Sequence, residues 1–161
     1  MGLYIDSNAA KTELSALRNV DIASYTPSHF KSIVDTHSVS KAIRLVMTRT
    51  VSGEQMASAI GEAVESRLKV LGSSRTAAER EAMDAAFKQF VSNFKKPELV
   101  TGTEIIILMD GNGVMSLTVA GSTGEPINSK ELCSAFVDVY LGDEAVVDRT
   151  LLLGRMQSLL A

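Results

Sequence analysis

A chain of 161 residues, 45% apolar and 22% charged, is long enough to bury one core and has the make-up of a single globular domain. Sixteen Lys and Arg against nineteen Asp and Glu, a net charge of −3, exclude a nucleic-acid or anionic-membrane surface, the cations being scattered apart from a Lys95-Lys96 doublet. The lone Cys133 excludes an internal disulfide, and with only two widely spaced histidines beside it no zinc spacing exists.

Residues 2–5 (Gly-Leu-Tyr-Ile) read as a strand, and residues 9–17 as a helix with Leu14 and Leu17 on one face. Asp, Ser and Pro punctuate residues 19–27, a connection. Phe30, Ile33 and Val34 carry helical spacing through 29–36, and the alternation around Ile43, Leu45 and Met47 predicts a strand over 41–50. Ser52 with Gln55 forms a capping box for a long helix whose apolar side is Met56, Ile60, Val64 or Ala63, Leu68 and Leu71, stopped at Gly72. Thr76 with Glu79 caps the next, which buries Met83, Phe87, Phe90, Val91 and Phe94 and ends before Pro97. Residues 104–109 and 114–119 are strands joined by Asp110-Gly111-Asn112-Gly113, whose residue types supply the positive φ of a tight hairpin. A short strand is expected at 125–127. Asn128 with Glu131 opens a helix carrying Leu132, Ala135, Phe136 and Val139 to Gly142, and residues 149–160 form a last helix with Leu152, Met156 and Leu159 on one side. Strands clustered as hairpins and helices in pairs predict one α+β domain, helices layered on an antiparallel sheet.

Little here carries chemistry. Gly111-Asn112-Gly113 lacks a third glycine and lies between two strands, so it reads as a turn and not a dinucleotide fingerprint. His29 and His37 flank a helix end, Cys133 sits beside Leu132 and Phe136 as a buried, inert thiol, and Asp110 and Asp143-Glu144 lie in turns. The sequence predicts no cofactor and no metal. Seven methionines with no tryptophan suit an adaptable apolar pocket, but ordinary core filling is the favoured reading. No apolar run approaches a membrane span and no basic-then-apolar leader is visible, so a soluble intracellular protein is expected.

Three segments, in order, resemble the chalcone isomerase-like superfamily. They are Gly2-Leu3-Tyr4-Ile5, then Ile43-Arg44-Leu45-Val46-Met47 with Val51-Ser52-Gly53-Glu54-Gln55, and then Gly102-Thr103 through the hairpin to Ser129-Lys130-Glu131-Leu132-Cys133-Ser134-Ala135-Phe136 and Tyr140-Leu141-Gly142-Asp143. The last is more similar to the fatty-acid-binding and chalcone isomerase-like branches than to the plant isomerases. The resemblance implies an open-faced β-sandwich, a large antiparallel sheet under a layer of helices with the ligand cleft between.

In the true isomerases, the resemblance implies ring closure of a chalcone, with an arginine holding the phenolate and a threonine and tyrosine organising water at the carbonyl. The arginine and threonine would lie upstream of Gly2. The family's tyrosine, asparagine and Ser/Thr fall at Met56, Ala63 and Val139, all apolar, and losing donors aimed at developing charge removes the main source of rate enhancement. The arginine and tyrosine that clamp a carboxylate in the fatty-acid-binding branch would also precede Gly2, leaving Arg44 as a weak stand-in. The expectation is a non-catalytic binder of a fatty acid or similar apolar small molecule, with Met47, Met56, Ile60, Ala63, Val139, Tyr140 and Arg44 at the ligand. An isomerase of altered chemistry and an interaction partner of another enzyme stand as alternatives. An N-terminally short domain would expose a sheet edge near Gly2, inviting a homodimer. Family members occur in plastid, mitochondrion and cytosol, and the compartment stays open.

Overall fold

The computed structural model describes residues 1–94, 98–148, 151 and 156–161. The chain opens on β1 (Gly2–Ile5), α1 (Ser7–Glu13) and two single 3-10 turns, Ser15–Leu17 and Ile22–Ser24, before α2 (Pro27–Asp35). The helix expected over 9–17 thus starts at Ser7, because the Asp6 carboxylate accepts from the Asn8 and Ala9 N–H groups, and it tightens to 3-10 at Ser15. Pro27 supplies the first turn of α2, where its missing N–H costs nothing. The His29 ring accepts the Thr26 N–H at 2.9 Å and so serves as a cap.

The sheet is built from β1, β2 (Lys41–Val46), β5 (Glu104–Met109), β6 (Val114–Val119) and β7 (Ser122–Thr123), in that order, with β8 (Ile127–Asn128) also on β6. All these pairings are antiparallel. Register places Leu3, Ile43, Ile107 and Leu117 in one row across four strands. Because side chains alternate along a strand, this row, with Lys41, Met109 and Met115 beside it, lies on the covered face. Tyr4, Val46 and Leu108 stand exposed on the other. The third strand expected at 125–127 is two separate two-residue strands, β7 and β8, because Ala120 and Gly121 turn the chain at once with φ of 50° and 78°. At the β5–β6 hairpin the Asp110 carboxylate accepts from Asn112 N and Val114 N at 2.8 and 2.9 Å. Those N–H groups, Val114 first, hold its pKa below the ordinary value.

The covering layer is α3 (Gly53–Gly72), α4 (Ala77–Ser92) and α5 (Lys130–Leu141), followed by α6 (Met156–Leu160) against α1. Both capping boxes form: Ser52 with Gln55 on α3 and Thr76 with Glu79 on α4. The Lys95-Lys96 doublet, Pro97, Arg149 and Leu152 fall outside the described residues. The buried line of α3 is Gly53, Ala57, Gly61, Val64 and Leu68; of the apolar face expected for it, Val64 and Leu68 are buried, while Met56, Ile60, Ala63 and Leu71 are half-buried flank. The reason is size: at Gly61 a methyl group would already touch Phe87 of α4, so the small residues let neighbouring helices approach.

Ser129, not Asn128, caps α5, its hydroxyl accepting from Leu132 N. Nine of the twelve residues of α5 are buried, since it lies against α2, α3, α4 and β6 at once. Phe136 is its centre, edge-to-face with Phe90 at 4.7 Å, a geometry that adds about 0.5–1.5 kcal/mol to burial. No helix among the described residues is long and apolar enough to cross a membrane.

Candidate functional site

The strand expected to run to Thr50 ends at Val46. Met47 remains tied to the sheet, its N–H donating to Thr103 O at 2.9 Å and its carbonyl accepting from Gly102 N at 2.8 Å. Residues 48–50 then leave the sheet, and β3 (Val51–Ser52) pairs instead with β4 (Glu98–Leu99). Ser52 starts α3 immediately, its hydroxyl accepting from Gln55 N at 3.0 Å while Gln55 Oε1 accepts from Ser52 N at 3.1 Å. The chain therefore bends around a groove of about 560 Å³ between the end of β2 and the first two turns of α3. Its walls include Leu45, Met47, Val51, Met56 and Ala59, and Arg49 is the one charged side chain on its lining. Ligand pockets span roughly 300–1,000 Å³; this groove falls within that range, with Thr48, Arg49, Thr50 and Gln55 interleaved among its apolar residues.

Of the residues expected at a ligand, Met47 and Met56 meet in the groove. Ile60 and Ala63 follow Met56 along α3 at helical spacing, half-buried against the core. Val139 and Tyr140 are packed inside α5, and burial pushes the Tyr140 hydroxyl up to about 12. Arg44 requires correction as the stand-in cation. It alternates with the inward Ile43 and Leu45, so it lies on the opposite face in an ion pair with Glu104. Sequence reasoning missed Arg49, because Thr48, Arg49 and Thr50 looked like the continuation of a strand.

A larger groove, about 670 Å³, lies between α2, α3 and the end of α5. Its floor includes Phe30, Val34 and Leu71, but four carboxylates line it, Asp35, Asp138, Asp143 and Glu144, against Lys31 and Arg67. Both cations are committed: Lys31 to Asp35 at 2.7 Å, and Arg67 to Asp138 at 3.5 Å and to Glu144 O at 2.6 Å. Burial raises the Asp138 pKa, Arg67 pulling the other way. This groove repels an anion.

A third polar cluster surrounds a buried lysine. Lys41, 4% exposed, donates to Thr36 O at 2.5 Å and Val39 O at 3.3 Å. It shares a void of about 10 Å³ with His37, Asp110 and Cys133, room for about one water. Burial lowers Lys41 to about 8 and raises the Cys133 thiol to about 12; a thiol held neutral is a poor nucleophile. His37 is likewise lowered by burial, its Nε2 lying 3.2 Å from Ser134 Oγ. Among the described residues no group of three or more His, Cys, Asp and Glu is placed to hold a metal ion.

A family model described as chalcone isomerase-like matches residues 22–154. The chain is similar to the crystal structure of a fatty-acid binding protein of Arabidopsis thaliana, with a TM-score of 0.80 at 22% identity over 98% of this chain and 77% of that one. No curated protein sequence matches it.

Proposed function

Because the chain belongs to the chalcone isomerase-like family, we propose that it binds a fatty acid or similar apolar ligand between β2 and the start of α3, as a binder and not a catalyst. The observation that carries this reading is the groove itself: about 560 Å³, with Leu45, Met47, Val51, Met56 and Ala59 on its lining beside Thr48, Arg49, Thr50 and Gln55. Unbranched methionine side chains adapt to an acyl chain. The fatty-acid binding protein of like fold supports the choice of ligand class. Against catalysis stand Met56, Ala63 and Val139, none of which offers a hydroxyl or amide donor.

Native mass spectrometry of the purified chain, followed by denaturing extraction and lipid analysis, tests the reading. A fatty acid at near-stoichiometric amount supports it. An empty protein that also takes up no added dodecanoate overturns it. For partners, β1 favours a second copy of this chain: it hydrogen-bonds only β2 among the described strands, and Met1 and Tyr4 stand exposed beside its open edge. Sedimentation equilibrium showing a monomer at the highest soluble concentration overturns that pairing.

A further inference from the structure

We propose that the sheet face turned away from the helices is the interface for a second copy of this chain, packed face to face about a two-fold axis with Arg44 of each copy over Glu104 of the other. This surface is distinct from the β1 edge considered above and needs no ligand. A sheet covered on one side should alternate apolar inward with polar outward. β6 does so: Met115, Leu117 and Val119 are buried, while Ser116 and Thr118 face out. β5 does not. Its residues 105–109 are apolar without a break, Ile105, Ile107 and Met109 buried inward and Ile106 and Leu108 turned outward, Leu108 exposed. Such an unbroken run belongs to a strand covered on both faces. Register sets Tyr4, Ala42, Leu108 and Ser116 in one outward row and Arg44, Ile106 and Thr118 in the next. The apolar patch thus spans β1, β2 and β5 and is bordered by the hydroxyls of Ser116, Thr118 and Thr123, an apolar centre with a polar rim. Tyr4 folds back across it: a Cβ at Gly2 would stand 3.0 Å from a carbon of its ring, and its hydroxyl accepts from Arg44. Tyrosine and arginine are the side chains that commonly anchor protein interfaces.

Charge selects the occupant. Arg44 and Glu104 are the charged residues at the outward positions of this sheet, and they pair with each other. The face therefore has no net field to draw a nucleic acid, an anionic lipid or a charged peptide. It is instead complementary to itself. Arg44 stands opposite Ile106 and Val46 opposite Glu104, so the four form a rectangle across β2 and β5 with the charges on one diagonal and the apolar pair on the other. A two-fold axis along the Val46–Ile106 diagonal sets each of these against its own counterpart and exchanges the ion pair between copies, the isologous contact of a symmetric dimer. Sheets packed in this way lie about 10 Å apart. Four strands about 4.8 Å apart, of up to six residues at about 3.4 Å each, present roughly 400 Å² per copy. Two copies bury less than the roughly 1,200 Å² of a stable complex, so the dimer is reversible, with a Kd on the order of 100 µM.

Sedimentation velocity of the full chain, from about 5 µM to about 1 mM, decides the matter. The wild type is expected to show a reversible monomer–dimer equilibrium. I106K, which sets two cations against each other on the axis, should stay monomeric throughout. R44E and E104R should each raise the Kd at least about tenfold, because the exchange then opposes like charges twice over. Mixed one to one, R44E and E104R should recover the dimer as a mixed species, visible by native mass spectrometry. That recovery itself requires both variants to be folded, and circular dichroism checks I106K. A wild type that is monomeric at about 1 mM overturns the interface. A dimer indifferent to all three substitutions belongs to the β1 edge and overturns it too. Loss in R44E and E104R without recovery on mixing overturns the two-fold packing. A monomer that binds phosphatidylcholine vesicles through this face, with binding lost in I106K, gives the surface to a lipid bilayer and overturns the second copy.

Discussion

Lys41 offers the sharpest test of the packing, because its ammonium is 4% exposed and faces no carboxylate at ion-pair distance among the described residues. Burial lowers its pKa from 10.5 to about 8, with Cys133 and Asp35 opposing. The groups around it are His37, Asp110 and Cys133, which share its void. Between pH 8 and 10.5 the unfolded chain holds a proton that the folded chain has released, so stability rises with pH across that window. The full span is worth roughly 3 kcal/mol, at about 1.4 kcal/mol for each pH step of one. Cys133 acts in the opposite sense above about pH 9, since its thiol stays protonated to about 12 in the fold, and His37 titrates below the window.

The clean comparison is therefore Lys41→Met between about pH 8 and pH 9, by urea unfolding. At neutral pH the substitution releases the cost of a buried charge but leaves Thr36 O and Val39 O without their donor, about 1–3 kcal/mol for each unsatisfied group. These two effects oppose each other, so the offset between wild type and variant is small and the slope is diagnostic. Wild-type stability relative to the variant should climb by about 1 kcal/mol from pH 8 to 9, or roughly 2–4 °C in Tm for a chain of this size. Parallel pH profiles for the two proteins would refute a buried, depressed Lys41.

Other consequences are as direct. Cys133 should resist iodoacetamide in the native protein near pH 8 and react only on unfolding, since burial holds it neutral to about 12; labelling at the rate of a free thiol would contradict its burial. Phe136→Ala should cost about 3–5 kcal/mol in denaturant unfolding, because it removes the ring against Phe90 from a site with no exposure; a loss below about 1 kcal/mol would mean that α5 is not the centre of the core. Ala120→Asn should stabilise by up to about 1 kcal/mol, since Ala120 holds φ at 50° in the β6–β7 turn, where asparagine is better tolerated; a thermal melt showing destabilisation would refute that turn.

The parts legible in the sequence are those with a local physical signal. Ser52 with Gln55 and Thr76 with Glu79 announced α3 and α4 because each box satisfies its own orphan N–H groups without outside help. Asp110 to Gly113 announced the hairpin for the same reason. What escaped was set by distant partners. The two-residue strands β3 and β4 are too short to show a period, and they exist because residues 51 and 99 meet across the fold. The break after Val46, and with it Arg49, has no local marker. The burial of Lys41 was written in its phase with Ile43 and Leu45, two and four residues on, but a lysine at the end of a strand reads as solvated. On α5 the apolar positions looked like one stripe, yet neighbours on every side bury Val137, Tyr140 and Leu141 as well.

That all-round burial of α5 also orders events in time. The central sheet pairing joins β2 to β5 across some sixty residues, Arg44 opposite Ile106, and the helix that fills the space above it is made later still. A chain emerging from a ribosome can form α3 and α4 as local helices, but it has nothing to bury them against until residue 141 has been released. Folding of this domain thereby waits on the synthesis of α5, and the apolar sides of β5, β6 and α4 stay open to solvent, and to any chaperone that reads such surfaces, until α5 arrives to close them.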